Sequence, residues 1–350
     1  MIYDVIIIGS GPAGANAALE LSLHNINVLI IEKEVLPRIK PCGGAMPTTV
    51  KQHISIDISA VTRHEVSALH FLHDYQDKVE VETQDQPIIM VNRSEFDMFL
   101  VTQAQKRAKG IMKLNDNCAV KNISLEDNSV KIILDTGEVI TSRYVIGADG
   151  PLGVVSKSLG LMKQKKFAPT LDVEIQTSHA HYQNNKDAMV MNYFCLDKGY
   201  GWIFPKDNNT FSCGIGTWGK PFDLHVPLED FIAKNFQEGS IKEKKIKGYP
   251  IPIYNGSMQI TKQRVLLAGD AAALVNPVSG EGIRFALHSG KLAASCIVDG
   301  LHGVIGEDEV AEVYQQKVAE EIEKELKYKL AFEALAFHHS PKVFYKKFIK

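Results

Sequence analysis

The sequence predicts an α/β fold in which a parallel sheet is interleaved with an antiparallel sheet and followed by a helical segment. Three observations lead to this fold class. The chain opens on a strand–helix–strand pattern of about 30 residues, the size of one β-α-β unit. Short alternating strands separated by turn residues follow in the middle of the chain. Near the end, apolar residues recur at every fourth position over residues 309–337, which is typical of a helix.

The opening unit consists of two buried strands around a helix. Residues 5–8 are wholly apolar and end at Gly9, as expected for a strand that is covered on both faces. Small residues predict a helix over 13–24, and a second apolar strand over 27–31 ends at Glu32. The segment 37–47 is rich in Pro and Gly, which predicts a loop.

The later elements alternate between helix and strand. The sequence Ser94-Glu95-Phe96-Asp97 matches a capping box and predicts the start of a helix. Residues 117–146 predict a β-meander, and residues 172–217 predict a second β-rich stretch with a hairpin at 206–209. A buried strand over 265–268 then leads into a glycine turn and a helix.

The composition narrows the class of protein. The 350 residues carry a net charge of -2, and 45% of them are hydrophobic, so a nucleic-acid partner is not expected. The five cysteines form no CxxC pair and their number is odd, which favours a reducing compartment. The N-terminus lacks the basic region of a signal peptide, and no apolar run reaches the ~18 residues of a membrane-spanning helix. We therefore expect a cytoplasmic protein.

A glycine-rich turn, Gly9-Ser10-Gly11-Pro12-Ala13-Gly14, joins the first strand to the first helix. The glycines allow a tight turn, close approach of a pyrophosphate and close packing of the helix on the strand. The helix N-terminus then faces the phosphates. Glu32, at the end of the second strand, can accept hydrogen bonds from an adenosine ribose, and it disfavours a 2′-phosphate. The pattern predicts a dinucleotide site.

Two further turns favour FAD over NAD as that dinucleotide. The strand at 144–147 runs into Asp149-Gly150, and the strand at 265–268 runs into Gly269-Asp270. An aspartate in such a turn can hold ribityl hydroxyls beside a helix N-terminus. With the glycine turn, these motifs resemble the three flavin fingerprints of the glutathione-reductase-type fold, in its aromatic-hydroxylase and geranylgeranyl-reductase branch. The resemblance spans residues 3 to about 294 and implies a Rossmann-like FAD-binding domain.

We expect this domain to be interleaved with a substrate domain. The FAD-binding domain would comprise residues 1–68, 91–168 and 263–305, with the parallel sheet and the β-meander. An antiparallel substrate domain would comprise residues 69–90 and 169–262, and residues 306–350 would form a C-terminal helical segment. The chain is shorter than the family leads us to expect, which favours a trimmed substrate domain or C-terminal region.

Two motifs resemble those of the geranylgeranyl reductases in particular. Arg38-Ile39-Lys40-Pro41-Cys42-Gly43-Gly44 is similar to their Lys-x-Cys-Gly-Gly loop, and Gly199-Tyr200-Gly201-Trp202-Ile203-Phe204-Pro205 is similar to their Gly-Trp-x-Phe-Pro strand. Alternation along a strand places Tyr200, Trp202 and Phe204 on one face, as an aromatic wall suited to an apolar ligand. Ordinary sheet core is the alternative interpretation. The catalytic candidates are Cys42, Tyr200 and Trp202, with Cys42 either donating a proton or merely packing.

The glycine-rich segment 276–283 completes the expected cofactor site. Backbone N–H groups at the start of the helix that follows would stabilise negative charge on reduced flavin. Arg93 stands where the family places a flavin-contacting arginine, with a surface charge as the alternative. The residues expected to bind FAD are Gly9, Gly11, Pro12, Ala13, Gly14, Glu32, Lys33, Cys42, Gly43, Gly44, Ala45, Arg93, Ala119, Asp149, Gly150, Gly269, Asp270, Pro277, Gly280, Glu281, Gly282 and Ile283. No His or Cys group has the spacing of metal ligands.

The resemblance implies reduction of carbon–carbon double bonds in a prenyl, isoprenoid or other hydrophobic substrate. Hydride would come from flavin N5, and NAD(P)H or another donor would reduce the FAD. An FAD-dependent monooxygenase of the aromatic-hydroxylase type and a non-catalytic flavin- or lipid-binding protein are the alternatives. Halogenation is a weaker one, because residues 200–205 only partly match the halogenase strand. The tail 341–350 mixes aromatics with lysines, and it either contacts an anionic membrane surface or packs as a terminal helix.

Overall fold

The computed structural model describes residues 2–83, 86–219, 222–237 and 239–338. Within these ranges the strands form three sheets. The eight-stranded sheet contains β1 (Tyr3–Ile8), β2 (Val28–Ile31), β8 (Met112–Asn115), β9 (Val120–Glu126), β10 (Ser129–Leu134), β11 (Val139–Gly147), β17 (Thr261–Lys262) and β18 (Val265–Leu267). The seven-stranded sheet contains β5 (Ala68–His73), β6 (Gln76–Glu82), β12 (Lys166–Thr177), β13 (Ala188–Tyr193), β14 (Gly199–Pro205), β15 (Thr210–Thr217) and β16 (Ile241–Ile253). A three-stranded sheet contains β3 (Ala45–Pro47), β4 (Thr62–Val66) and β7 (Ile88–Val91).

The helices lie between and after these strands. They are α1 (Pro12–Leu21), α2 (Arg93–Arg107), α3 (Val154–Leu159), α4 (His179–Asn185), α5 (His225–Asn235), α6 (Ile283–Leu301), α7 (Val310–Val318) and α8 (Lys324–His338). A π-helical turn, Ala319–Glu323, joins α7 to α8. Among the described residues, no helix combines the length and the apolar character needed to cross a membrane.

The eight-stranded sheet has a parallel centre. Its strands run in the order β17-β18-β11-β1-β2-β8, with β1 parallel to both β2 and β11 and with β11 parallel to β18. Val5, Ile6 and Ile7 are wholly buried, because α1 and other elements cover both faces of the central strand. The antiparallel strands β9 and β10 extend from β11 as a meander. The predicted fold class, a parallel sheet with a β-meander, is therefore confirmed.

The seven-stranded sheet is antiparallel except where β13 pairs with β5. Helix α5 packs on one face, where Phe231 lies over Gly201 of β14 and its ring centroid is 6.1 Å from that of Tyr75. The opposite face carries the aromatic side chains of β14. The hairpin predicted at 206–209 is present between β14 and β15. The exact domain boundaries remain predictions.

Several local predictions were wrong. Helix α2 begins at Arg93 rather than at Ser94, because Asn92 is the N-cap: its side chain accepts hydrogen bonds from Ser94 N (3.3 Å) and Ser94 Oγ (2.9 Å). The first helix ends at Leu21 rather than at residue 24. Ser22 is its C-cap, and the main-chain N–H of Ser22 donates to the carbonyl oxygen of Ala18. The predicted loop 37–47 contains strand β3, and the β-rich stretch contains α4, whose polar sequence gives no apolar periodicity.

The C-terminal helical segment is present as predicted over its described part. Its apolar face is buried against the parallel domain through Val310, Tyr314, Val318, Ile322 and Leu326. The tail 341–350, proposed to contact a membrane or to pack as a helix, lies outside the described residues.

A pair of stacked histidines predicts acid sensitivity. The rings of His53 and His288 lie 4.0 Å apart, and burial, with repulsion from His288, Arg284 and Lys291, lowers the pKa of His53 to about 4. Between about pH 6.5 and about pH 4, His53 takes up a proton in the unfolded chain and not in the folded protein. Protonation therefore favours the unfolded chain, and the free energy of unfolding decreases as the pH falls through this window.

We expect His53→Gln to flatten that loss. His53 is half-buried, so its contribution, discounted for solvent screening, is about 1 kcal/mol, a shift in Tm of about 2–4 °C. The measurement is thermal unfolding of the FAD-saturated protein from pH 7 to pH 4. His302→Gln, at an exposed position, is the matched control and should keep the wild-type slope. Equal slopes for all three proteins would contradict the assignment.

Candidate flavin site

The glycine turn lies between β1 and α1, at the carboxyl end of the parallel sheet. Gly9 has φ +99°, and a Cβ on Gly14 would overlap the Gly9 carbonyl oxygen. Close packing continues into α6, where a Cβ on Gly290 would overlap the Ala13 carbonyl. Gly11 is the N-cap of α1, and Pro12 is its first residue. The free N–H groups of the first helical turn therefore face the space above the sheet.

Two guanidinium groups stand at this turn. A Cβ placed on Gly11 would lie 3.6 Å from Arg38 Nη2 and 3.9 Å from Arg93 Nη2. Both arginines donate to the buried carboxylate of Asp97: Arg93 Nε and Nη2 at 2.8 Å each, and Arg38 Nη1 at 3.1 Å. Arg93 is 8% exposed, so it is not the helix-flanking surface charge of the alternative interpretation. Arg38 Nε also lies 3.4 Å from Glu32 Oε2, so two carboxylates balance the two cations, and the guanidinium groups are the charged groups nearest Gly11.

Glu32 lies where the second strand ends and is 4% exposed. Burial alone would raise its pKa, but the Ser10 hydroxyl (2.6 Å), Arg38 and the main-chain N–H groups of Ser10 and Glu34 outweigh burial and lower the pKa. An ionised carboxylate is therefore fixed beside the glycine turn, on the side that the dinucleotide pattern assigns to the ribose.

The Asp149-Gly150 turn follows β11. Asp149 Oδ2 accepts a hydrogen bond from Val155 N (2.9 Å) at the start of α3, while Oδ1 is buried with no hydrogen-bond partner among the described residues. Burial raises the pKa of this carboxyl group, and the Val155 N–H opposes that rise. Asp149 thus has one acceptor oxygen left for a donor from a ligand.

The Gly269-Asp270 turn follows β18, and two residues that sequence reasoning missed lie near it: Tyr249 contacts Asp270, and Lys40 contacts Tyr249. The Tyr249 hydroxyl donates to Asp270 Oδ2 (3.0 Å), and Lys40 Nζ lies 3.7 Å from the centroid of the Tyr249 ring. Burial lowers the pKa of Lys40 to about 8, against the attraction of Asp270. Lys40 belongs to the quoted Lys-x-Cys-Gly-Gly motif, so that motif could have identified it. Tyr249 lies in β16 of the other sheet, and no local pattern marks it.

The segment 38–44, here called the Cys42 loop, lies against the aromatic wall. Cys42 Sγ accepts a hydrogen bond from Gly44 N (3.4 Å) and faces the Arg93 guanidinium. A Cβ on Gly43 would lie 2.5 Å from Phe204 Cδ2, so this position has no room for a side chain. Gly44 has φ +74°, a conformation that favours glycine. The two glycines therefore let the loop approach the wall closely.

The aromatic wall is formed as predicted on one face of β14. The ring centroids of Tyr200 and Trp202 are 5.9 Å apart, and those of Trp202 and Phe204 are 6.4 Å apart. Burial raises the pKa of Tyr200, whose neutral hydroxyl donates to the Ser279 carbonyl. The wall also packs with a second set of buried apolar residues, Val66, Met90, Met189, Met191 and Tyr193. The aromatic wall is therefore part of the core of the seven-stranded sheet. It also contacts two loops of the site, the Cys42 loop and the segment 276–283.

The segment 276–283 forms a compact turn before α6. Asn276 N donates to Glu281 O (2.9 Å), Gly280 N donates to Asn276 O (3.0 Å), and Asn276 Oδ1 accepts from Val278 N (2.9 Å). Gly282 is the N-cap of α6, and Ile283 is its first residue. Glu281 does not point freely into the site, because its carboxylate accepts from Arg284 Nε (2.8 Å).

The remaining predicted residues are dispersed. Lys33 is exposed after β2, and Ala45 begins β3 next to the Cys42 loop. The carbonyl of Ala119 accepts from Asp135 N (2.8 Å) within the meander. The cofactor roles of these three residues stay predictions.

The residues at the site fit FAD. The glycine turn leaves space for a phosphate approaching the backbone, Arg38 and Arg93 supply positive charge there, and Asp149 Oδ1 is a buried acceptor without a donor. Glu32 supplies an ionised acceptor on the side expected for the adenosine. Among the described residues, no group of three or more His, Cys, Asp or Glu side chains could hold a metal ion.

Comparison with known proteins agrees with this geometry. The family model described as FAD binding domain matches residues 2–319, so the chain belongs to this family of FAD-binding proteins. An uncharacterised protein of Methanosarcina barkeri is 30% identical over 90% of this chain and 80% of its own length. A digeranylgeranylglycerophospholipid reductase of Methanosarcina acetivorans is 27% identical over the same shares of the two chains.

Among solved structures, a geranylgeranyl bacteriochlorophyll reductase-like protein of Thermoplasma acidophilum shares the fold with a TM-score of 0.84. The two sequences are 22% identical, and the superposition covers 99% of this chain and 90% of the Thermoplasma protein. The protein is an FAD-dependent oxidoreductase similar to the geranylgeranyl reductases, as its motifs predicted.

Arg93 gives a direct test of the cofactor site. We expect Arg93→Met to weaken FAD binding about tenfold or more, the usual effect of losing a hydrogen bond to a charged group. The measurement is quenching of flavin fluorescence as the apoprotein is titrated into FAD. Arg107→Met, at the exposed end of the same helix, is the control and should bind as the wild type does. Unchanged affinity in Arg93→Met would exclude Arg93 from the FAD site.

Proposed function

We propose that this protein reduces carbon–carbon double bonds in the hydrophobic chain of an isoprenoid or another lipid. The single observation that carries the proposal is the contact between the Cys42 loop and the aromatic wall, next to the glycine turn and Arg93. This contact brings an ionisable thiol, an apolar surface and the cationic end of the candidate FAD site together. The named reductases among the relatives support the same substrate class.

Each part of the site has a role in the proposal. Bound FAD, once reduced, supplies the hydride. Phe204, Trp202 and Tyr200 line the site with buried apolar rings, which would exclude water from a prenyl chain bound beside the Cys42 loop. An isolated alkene is poorly electrophilic, so a proton must arrive together with the hydride or before it. Cys42 Sγ is the proposed proton donor at the other carbon of the double bond.

The surroundings of Cys42 suit proton transfer. Cys42 Sγ lies beside the Arg93 guanidinium and accepts a hydrogen bond from Gly44 N, so a cation and a donor stay next to the sulfur after its proton has left. Tyr200 and Tyr249 are neutral phenols at the same site, since burial raises the pKa of each. Both phenols therefore stay protonated and can donate a hydrogen bond, while the negative charge that proton transfer leaves behind stays on the Cys42 sulfur.

The proposal is tested with the FAD-bound protein, reduced under anaerobic conditions with dithionite or NADPH. On addition of geranylgeranyl diphosphate or a geranylgeranyl lipid, we expect flavin reoxidation and a product heavier by two hydrogens. A product that gains one oxygen and forms only in the presence of O2 would instead identify a monooxygenase. No reoxidation with any ligand, with intact FAD binding, would leave a flavin- or lipid-binding protein.

Cys42→Ala tests the proton donor. We expect it to lower the rate of flavin reoxidation by about 10²-fold or more, the usual contribution of a general acid, with FAD binding unchanged. Stopped-flow absorbance at the flavin band measures this rate. Cys195→Ala, at a half-buried cysteine without a disulfide between β13 and β14, is the matched control and should react as the wild type does. Equal rates for Cys42→Ala and wild type would assign the proton to another group.

Reduction of the FAD by NAD(P)H or another donor, a cytoplasmic location and contact of the C-terminal tail with a membrane surface are also part of the proposal. Mass spectrometry of ligands that copurify with the protein would identify both the flavin and any bound lipid.

A further inference from the structure

Lys206 is a buried cation next to the Cys42 loop that the proposed chemistry does not use. It follows β14 directly, is 9% exposed, and its ammonium group donates to the carbonyl oxygens of Val91 (3.3 Å) and Cys42 (3.4 Å). Burying an ammonium group is costly unless it is paired or bonded. The two carbonyl oxygens therefore hold the Lys206 ammonium group in place.

The main chain of Lys206 is fixed independently of its side chain. Lys206 N donates to Thr210 O (2.9 Å) across the hairpin, and the Tyr182 hydroxyl of α4 donates to Lys206 O. The stem of the side chain therefore starts from a rigid point at the end of β14 in the seven-stranded sheet, while its ammonium group ends on the Cys42 loop.

The Cys42 loop is shaped around this ammonium group. A Cβ on Gly44 would lie 3.1 Å from Lys206 Nζ and would overlap the Val91 carbonyl oxygen. Val91 N in turn donates to Gly44 O (2.9 Å). The second glycine of the Cys-Gly-Gly motif thus makes room for the lysine and for strand β7, just as the first makes room for Phe204.

On the same face of the sheet as the wall, a carboxylate faces the same lysine. Asp172 Oδ2 accepts from Ser212 Oγ (2.8 Å), and Ser212 Oγ accepts from Trp202 Nε1 (3.3 Å). Burial raises the pKa of Asp172, and attraction to Lys206 opposes that rise. Lys206 is thereby linked to the orientation of Trp202 on one side and to the backbone of Cys42 on the other.

We propose that Lys206 is a positioning residue, whose ammonium group clamps the Cys42 carbonyl and β7 so that the Cys42 thiol is held between Arg93 and the aromatic wall. Lys206 touches no reacting atom in this arrangement. It acts through Cys42, and in turnover its role rests on the function proposed above.

The test is site-resolved alkylation of the FAD-bound protein with iodoacetamide from pH 6 to pH 9, with each cysteine followed by mass spectrometry. Loss of the clamp in Lys206→Met should free the loop and raise the alkylation rate of Cys42 about tenfold or more, the range expected for a lost hydrogen bond to a charged group. The rate at Cys195 should stay within about twofold, and Lys206→Arg, which keeps a cationic donor, should give a Cys42 rate closer to that of the wild type than Lys206→Met does.

Lys262→Met is the matched control. Lys262 also donates to a carbonyl oxygen, that of Leu159 (3.1 Å), but at the edge of the other sheet. We expect it to leave the Cys42 rate unchanged. A Cys42 rate in Lys206→Met that is equal to or below that of the wild type, with FAD still bound, would overturn the proposal.

If Lys206→Met does not fold or bind FAD, Asp172→Asn takes its place, because it removes the facing charge and keeps the side-chain shape. It should raise the Cys42 rate in the same direction by a smaller factor, and an unchanged rate would also overturn the proposal. Alkylation needs no substrate, so the outcome does not depend on the proposed reduction. Where turnover is measurable, Lys206→Met should lower kcat and leave KM within about twofold.

Discussion

The carboxylate of Asp97 is the interaction on which the candidate site depends. It is almost wholly buried and holds two guanidinium groups, those of Arg93 on its own helix and Arg38 on the Cys42 loop. Without it, two cations would face each other next to the glycine turn. Removing one partner of such a buried group leaves an uncompensated charge, at a cost of about 3–5 kcal/mol. The same carboxylate thus anchors the loop, aligns Arg93 with Cys42 and keeps positive charge near Gly11.

The Cys42 loop joins the two halves of the molecule. Arg38 ties its start to helix α2 of the parallel domain, whereas Lys40 lies over Tyr249 and Gly43 lies against Phe204, both in the seven-stranded sheet. Two tyrosines of the seven-stranded sheet also bond to loops of the parallel domain. Tyr249 donates a hydrogen bond to Asp270, and Tyr200 donates one to the Ser279 carbonyl. The site is therefore built from short segments of both sheets, and its geometry requires the two sheets to keep a fixed relative position. A change at any of these contacts should alter the flavin region as well as the apolar wall.

Much of this was predictable from local pattern. The buried strands, the glycine turn and the two aspartate turns have backbone requirements that only certain residue types satisfy, so they can be recognised along the chain. The alternation that puts Tyr200, Trp202 and Phe204 on one face is equally local. The N-cap Asn92 was missed because Asn92 and Ser94, two positions apart, both have the chemistry of an N-cap. A choice between them depends on the direction from which the chain enters the helix.

Sequence patterns were sufficient to predict the α/β fold class, the FAD-binding motifs and the resemblance to the geranylgeranyl reductases. The packing of the chain was needed to show that Arg38 shares Asp97 with Arg93, that Tyr249 reaches Asp270, and that Lys206 ends on the Cys42 carbonyl. These contacts join residues separated by 21 to 164 positions along the chain. Backbone patterns are set by interactions between near neighbours. Which distant side chains meet is set by how the two sheets pack, and no local spacing encodes that packing.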